Sequence, residues 1–344
     1  MDLDAFFAAV EVLENSQLAG KPVIVGGRPD QRGVVASASY AARAFGIRSA
    51  MPTARALSLC PQSIVLPPRH DVYRRYSRQV MAILRETTPL VEQLSVDEAC
   101  LDLTEQVGTW QEAVAIARQL RKRVRDEVGL SASLGIAANK LVAKVAADRD
   151  KPGGLTAVPP GEEAAFLAPL PVQVLWGIGP VTTRRLAQMG VTTVGQLAQL
   201  PGHELRARFG SHGTSMARQA KGIDDRPVVT KHQRKSVSRE RTFSQDLTDD
   251  EMLERQLWRI SKGVAKRLQR SQLVAGTVAL KLRYADFTTL TRQMTLDVPT
   301  QDEEVLYRAA LSLLRRTREP GRPVRLMGIA GRHLSPPVGQ QPLW

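Results

Sequence analysis

The chain has little cysteine, no long apolar run and no targeting segment at its start. Only two of its 344 residues are cysteines, Cys60 and Cys100, and neither has a CxxC partner or a nearby histidine. That excludes a disulfide framework, argues against a zinc site, and suits a reducing cytoplasm. No apolar stretch approaches the roughly 20 residues that cross a bilayer, so a membrane partner is not expected. The N-terminus lacks the basic and then apolar pattern of a signal peptide. Apolar residues make up 43% and charged residues 24% of the chain, which excludes a largely disordered protein. The length calls for two to four domains rather than one small core.

Positive charge is what the chain has in excess. The formal net charge is +14, which points to a polyanionic partner. It is unevenly spread. Residues 1–165 carry 20 basic against 19 acidic residues, residues 166–230 carry 7 against 3, and residues 231–344 carry 21 against 12. The near-neutral first half therefore reads as the catalytic part and the basic second half as the grip on nucleic acid.

Two acidic elements stand out. Asp97-Glu98 interrupts the apolar strand residues Leu94, Val96, Leu101 and Leu103 where a hairpin turn should fall. Asp2-Leu3-Asp4 opens the chain. An interior acidic pair is costly unless a cation neutralises it, and a divalent metal is the usual answer. Carboxylates from two strands converging on Mg²⁺ would suit phosphoryl chemistry.

Between these elements the pattern is α+β. Strands are expected over residues 21–27, 33–37 and 131–137, and helices over 39–45, 71–87 and a stretch presenting Val114, Ala117, Leu120, Val124 and Val128 on one face. A short helix from Asn139 stops at Lys151-Pro152-Gly153-Gly154. Residues 166–228 read as short helices without a strand, and 229–240 as a polar, basic linker whose end pairs as an edge strand. A second α+β unit follows: a helix over 249–270, strands over 274–285 and 289–298, a helix over 302–317, and a strand over 323–333. The Pro- and Gln-rich tail from Ser335 to Trp344 is expected to be disordered.

Asp2-x-Asp4-Ala5-Phe6-Phe7, then Ala38-Ser39-Tyr40-Ala41-Ala42-Arg43, then Ser95-Val96-Asp97-Glu98-Ala99 resemble, in order, the Y-family translesion DNA polymerases, and within them the DinB group. The resemblance runs to the C-terminus. It implies an α+β multidomain right hand: a ferredoxin-like palm with fingers (about 11–67) inserted, together residues 1–165; a helical thumb, 166–228; the linker, 229–240; an α+β little finger, 241–334; and a flexible tail, 335–344.

It also implies the chemistry. A DNA polymerase of this kind would add dNTPs to a primer on template DNA by two-metal phosphoryl transfer, with low fidelity and no proofreading. Asp2 and Asp97 would bridge two Mg²⁺ ions, Glu98 would complete the ion on the primer side, and the Leu3 carbonyl would ligate the nucleotide-bound ion. Asp4 suits a turn or supporting role as readily as ligation. Ser37, Tyr40, Arg43 and Lys151 would hold the triphosphate; Tyr40 and Arg43 are three apart and share a helical face. Phe7 would be a gate against the ribose 2′-hydroxyl, with Phe6 in the core. Ser49, Ala50 and Met51 would form a roof of little bulk over the nascent base pair.

DNA contacts are expected in two places. Trp176-Gly177-Ile178-Gly179-Pro180 and the helix after it read as a helix-hairpin-helix, whose exposed N–H groups bind a phosphate, with a weaker second copy at Phe209–Gly213. The linker with Arg239, Arg241, Arg283 and Arg292 would track the duplex backbone. The terminal Gln340-Gln341-Pro342-Leu343-Trp344 resembles peptides that dock on the sliding β-clamp, through Gln340, Leu343 and Trp344. The expected protein is a cytoplasmic monomer. The competing reading is a catalytically degenerate scaffold that binds DNA and the clamp; a two-metal nuclease is disfavoured by the triphosphate and gate residues.

Two departures from the family accompany this. Only Met1 precedes Asp2, where the family has an apolar strand. The expectation is a natural start lying upstream, a sheet edge left at this point, and an α-amino group of intrinsic pKa about 7.7–8.0 beside a metal ligand. Cys100 stands where an aromatic is common, with only a packing effect expected.

Overall fold

From the N-terminus to Lys231 the chain runs β1 (Asp2–Leu3), α1 (Phe6–Glu14), β2 (Val23–Gly26), β3 (Val35–Ala38), α2 (Tyr40–Arg43), α3 (Thr53–Leu59), β4 (Ile64–Leu66), α4 (His70–Thr87), β5 (Val91–Gln93) and β6 (Ala99–Leu101). It continues through α5 (Trp110–Arg123), β7 (Ala132–Ile136), α6 (Lys140–Arg149) and β8 (Leu155–Ala157). Five short helices close this half: α7 (Glu163–Leu167), α8 (Pro180–Ala187), α9 (Val194–Gln199), α10 (Gly202–Phe209) and α11 (Ser211–Ala220). The remainder is β9 (Ser236–Leu247), α12 (Asp250–Arg270), β10 (Val274–Tyr284), β11 (Thr289–Thr300), α13 (Glu303–Thr317) and β12 (Val324–Ser335). The computed structural model describes residues 1–337; the expected clamp peptide lies outside them. Among the described residues no helix is long and apolar enough to cross a membrane.

Two units are distinct. The first comprises Met1–Gly26, Val35–Met51 and Ala56–Lys231; the second comprises Gly27–Val34, Pro52–Arg55 and the chain from His232 onward.

In the first unit, β1 is a strand of two residues. It pairs antiparallel with β7, Asp2 opposite Ser133 and Leu3 opposite Ala132. On its other side Asp2 bridges to Glu98, and Ala99 donates its N–H to Met1 O at 3.1 Å. In the order β1-β7-β8 the strand β1 is an edge, as expected, with an isolated bridge from Asp2 to Glu98 on its other side. The Met1 α-amino group donates to Ala99 O at 2.8 Å, and burial pulls its pKa below the ordinary value.

Strands β7 and β8 run parallel, joined through α6. The strand and helix approach closely at Gly135, where a Cβ would stand 1.9 Å from Ala143 O. Only glycine permits that contact, and it sets α6 tightly on the sheet. Helices α1, α4 and α5 bury Phe6, Val10, Tyr73, Val80, Leu84 and Leu120 against Leu3, Val91 and Leu134. A separate small sheet, β3-β2-β4, carries its own core of Ile24, Val35, Ala38, Ile47 and Cys60. The expected helix over 39–45 is a single turn, α2, capped by Ser39 Oγ accepting from Ala42 N. Helices α7 to α11 pack around Leu167, Leu186, Leu197, Leu205 and Met216.

The second unit contains a four-stranded antiparallel sheet in the order β11-β10-β12-β9. Helices α12 and α13 cover one face and bury Leu257, Ile260, Leu268, Leu306 and Leu314 on Val278, Leu280, Leu282 and Ile329. The polar linker read from the sequence gives way to strand at Ser236, and β9 is one of the two edge strands of its sheet.

Candidate active site

Asp2 sits on β1, and Asp97 and Glu98 form the turn between β5 and β6. The turn is shaped by Ser95, whose Oγ accepts from Asp97 N at 3.1 Å and Glu98 N at 3.0 Å and donates to Asp97 Oδ1. Leu3 N donates to Asp97 O at 3.0 Å, which brings the two acidic elements together.

Two lysines answer the negative charge. Lys144 Nζ lies 2.5 Å from Glu98 Oε1. Lys151 Nζ lies 2.7 Å from both Asp2 Oδ1 and Asp148 Oδ1. Even so, burial and a hydrogen bond to Glu98 push the Asp2 carboxyl up to about 7. Burial works against the Glu98 charge too, but the Asp2 hydrogen bond and the Lys144 ammonium hold that carboxyl below its usual value. An all-oxygen donor set of this kind fits a hard divalent cation. Each acidic side chain has its own local partner, and among the described residues no three His, Cys, Asp or Glu side chains are gathered as a ready ligand group.

Asp4 is not part of that set. It is 3% exposed, and its oxygens accept from Ser131 Oγ at 2.7 Å, Ser133 Oγ at 2.8 Å and Gly153 N at 2.8 Å. Tyr40 OH adds a longer bond at 3.4 Å. Asp4 therefore ties β1 to the loop that bears Lys151 and to α2. Of the alternatives left open by the sequence, the supporting role is the one its hydrogen bonds describe.

The four residues expected at the triphosphate are not equivalent. Ser37 is buried, and its Oγ accepts from Ala8 N at 3.4 Å. The Arg43 guanidinium lies 4.9 Å from the Tyr40 ring centroid, and its Nε donates to Ala38 O at 3.0 Å. Tyr40 keeps its proton more firmly than usual through burial and the Asp4 charge. Lys151 is engaged with carboxylates. Phe7, half-buried on α1, stacks on Tyr73 with ring centroids 4.1 Å apart.

Sequence reasoning missed Lys144 and Ser95. The spacing of Lys140 and Lys144 on one face of α6 was a usable signal for the first; the Ser-x-Asp-Glu order, typical of a side chain capping its own turn, was one for the second.

At the helix-hairpin-helix, Gly177 adopts φ +86°, and a Cβ there would lie 2.8 Å from His212 Cε1. Gly179 caps α8, with Pro180 at the first helical position and nothing within 4 Å of a Cβ. The Gly179 N–H itself donates to Gly177 O at 3.2 Å. The weaker second copy is the α10–Gly210–α11 corner.

The four arginines do not share one face of the sheet in the second unit. Arg239 and Arg241 alternate with the buried Val237 and Phe243 at the same parity and so turn towards the helices. Arg241 Nη1 donates to Gln256 of α12 at 3.0 Å, and the Arg239 side chain lies over Gly263. Arg292 is opposite the buried Leu280. Only Arg283 lies on the open face, together with Lys281, which pairs with Glu240 at 2.8 Å.

Three family models match the chain in order: the impB/mucB/samB family over residues 1–148, the thumb domain of DNA polymerase-iota over 173–224, and the impB/mucB/samB C-terminal domain over 234–343. DNA polymerase IV of Alkalilimnicola ehrlichii is 46% identical over 330 residues, covering 96% of this chain and 92% of that protein. DNA polymerase IV of Halorhodospira halophila is 43% identical over 344 residues, covering 100% and 97%. Among solved structures, a chimera of the Y-family DNA polymerases Dbh and Dpo4 matches with TM-score 0.88, 27% identity and 98% coverage of both chains. The insertion ternary complex of Dbh DNA polymerase matches with TM-score 0.69, 27% identity and the same coverage. Relatives of this identity over nearly the whole chain, on a matching fold, leave one assignment: the chain belongs to the Y-family DNA polymerases, in the DNA polymerase IV group, and is a low-fidelity, translesion DNA-directed DNA polymerase.

Proposed function

We propose that Asp2, Asp97 and Glu98, with the Leu3 carbonyl, hold two Mg²⁺ ions for nucleotide addition. The observation that carries this reading is the meeting of the two acidic elements, with Asp2 bridging to Glu98 and Leu3 N donating to Asp97 O at 3.0 Å. Bound there, the ions supply positive charge that stabilises the attacking 3′-oxygen and the departing pyrophosphate. Lys144 and Lys151 compensate the carboxylates, and Asp97 is turned towards Ser95.

Lys151 leaves Asp2 for the incoming triphosphate, where its ammonium acts as a point charge. Arg43 and Tyr40 complete the cradle from α2, and Ser37 supports it from beneath through Ala8. Asp4 keeps the Lys151 loop and Tyr40 in register with β1. Phe7 excludes the ribose 2′-hydroxyl. The palm and fingers occupy residues 1–165, the thumb 166–228, the linker 229–240 and the little finger 241–334. The turn through Gly177 and Gly179 brings the start of α8 against a DNA phosphate. Arg283 contacts DNA from the open sheet face, and Arg239, Arg241 and Arg292 do so from the sheet margins. The tail docks on a sliding clamp, and the protein works as a monomer in the cytoplasm.

Template-dependent primer extension with dNTPs tests the reading. Extension with Mg²⁺, lost on chelation and restored by added Mg²⁺, is expected. Extension unaffected by chelation would refute the metal assignment.

A further inference from the structure

Phe7 does not stand alone. Its ring is nearly parallel to that of Tyr73, at 12°, with centroids 4.1 Å apart. His70 meets Phe7 edge-on at 5.8 Å and Tyr73 edge-on at 6.1 Å. Tyr73 itself is only 1% exposed, and its hydroxyl donates to Glu11 Oε1 at 2.6 Å. Glu11, 5% exposed, is gripped by Arg69 through Nε at 3.0 Å and Nη2 at 2.5 Å.

The spacing matters. Glu11 follows Phe7 by four residues on α1, and Tyr73 follows Arg69 by four at the start of α4. Ring and anchor therefore lie on the same face of each helix. A carboxylate and a phenol buried at a helix contact cost more than an apolar pair of equal volume. Helix packing alone has no need of them. What the polar node adds is orientation, because the hydrogen bond fixes where the Tyr73 ring lies and the stacked contact passes that position to Phe7.

We infer that Glu11 and Arg69 are positioning residues for nucleotide-sugar selection: by holding the Tyr73 hydroxyl they fix the ring against which Phe7 stacks, and so set how closely Phe7 approaches the sugar. The inference rests on the reading of Phe7 as the gate. Its specific content is that discrimination between dNTP and rNTP depends on a hydrogen bond that touches neither nucleotide nor metal.

The test is the ratio of kcat/KM for a dNTP to that for the matching rNTP on an undamaged primer–template. It is measured for the wild-type protein, Tyr73→Phe, Glu11→Gln and Phe7→Ala, with thermal melting as a folding control. Tyr73→Phe should lower the ratio by roughly three- to tenfold, the worth of one hydrogen bond, and Glu11→Gln, which keeps an acceptor oxygen but loses the charge, should lower it less. The change should come from a lower KM for the rNTP, with dNTP incorporation altered less. A merely structural node would depress both substrates alike and leave the ratio where it was. An unchanged ratio in Tyr73→Phe, beside a collapsed ratio in Phe7→Ala, would overturn the inference and leave the gate standing. An unchanged ratio in Phe7→Ala would remove the gate and the inference with it. Should Glu11→Gln fail to fold, Tyr73→Phe decides alone, since it keeps the ring and removes one oxygen.

Discussion

Lys151 Nζ lies 2.7 Å from Asp2 Oδ1, so a residue proposed to hold the nucleotide is bonded to a residue proposed to hold the metal. The pair sets a counter-charge beside the partly buried Asp2 carboxyl, since an unpaired buried charge is costly. It also makes one lysine serve two ligands in turn.

Lys151→Met should therefore raise KM for dNTP by about tenfold or more, the worth of one charged hydrogen bond, with little change in affinity for primer–template DNA. Steady-state kinetics beside a DNA-binding titration checks this. An unchanged KM would remove Lys151 from the triphosphate site.

Phe7→Ala should admit ribonucleotides while retaining dNTP incorporation. Single-nucleotide insertion with matched rNTP and dNTP reads the outcome directly, and unchanged rejection of rNTPs would refute the gate.

Tyr73 offers a pH signature. Burial and the hydrogen bond to Glu11 push its pKa from 10.0 to about 12. Below pH 10 the phenol is protonated in the folded and unfolded chains alike, so its contribution to stability is complete there. Between 10 and about 12 only the unfolded chain ionises, and stability falls as pH rises. Tyr73→Phe lacks this titration, so the stability difference between wild type and variant should shrink across that window. Denaturant melts at pH 9 to 12 measure it, and a constant difference would show that the phenol is not so held.

Lys140 and Glu92 form a buried ion pair at 2.8 Å, with side chains 8% and 5% exposed. They also clamp the segment after α11: Lys140 Nζ donates to Pro227 O at 2.8 Å, and Glu92 Oε2 accepts from Val229 N at 3.0 Å. Lys140→Met alone should destabilise the protein by about 3–5 kcal/mol, because it removes the cation from a buried ion pair. Adding Glu92→Leu should recover part of that loss. A single variant as stable as wild type would show that the pair is not desolvated.

Much of the fold was legible because long periodic stretches carry it. Helix α4 begins one residue from its expected start, and β10 starts at the expected Val274. The acidic turn was legible as a break in an apolar pattern, but Leu94, Val96 and Leu103 lie outside the strands, which span only Val91–Gln93 and Ala99–Leu101. The lysine partners were not, because Glu98 and Lys144 meet only once α6 is laid against β7 at Gly135. The arginines show a different limit. Arg292 faces the helix side because it is opposite Leu280, a register set by strand pairing and a bulge that composition does not reveal. For Arg239 and Arg241 the signal was present, in the alternation Val237-x-Arg239-x-Arg241-x-Phe243. The buried node of Glu11, Arg69 and Tyr73 spans 62 residues of sequence, and nothing local to either helix announces it.

The central claim is that Asp97, with Asp2 and Glu98, carries Mg²⁺-dependent nucleotide addition. Primer extension by Asp97→Asn, run beside wild type with primer–template binding measured on the same preparations, tests it most directly. Extension should fall by at least about a thousandfold with DNA binding retained. Extension at close to the wild-type rate would contradict it.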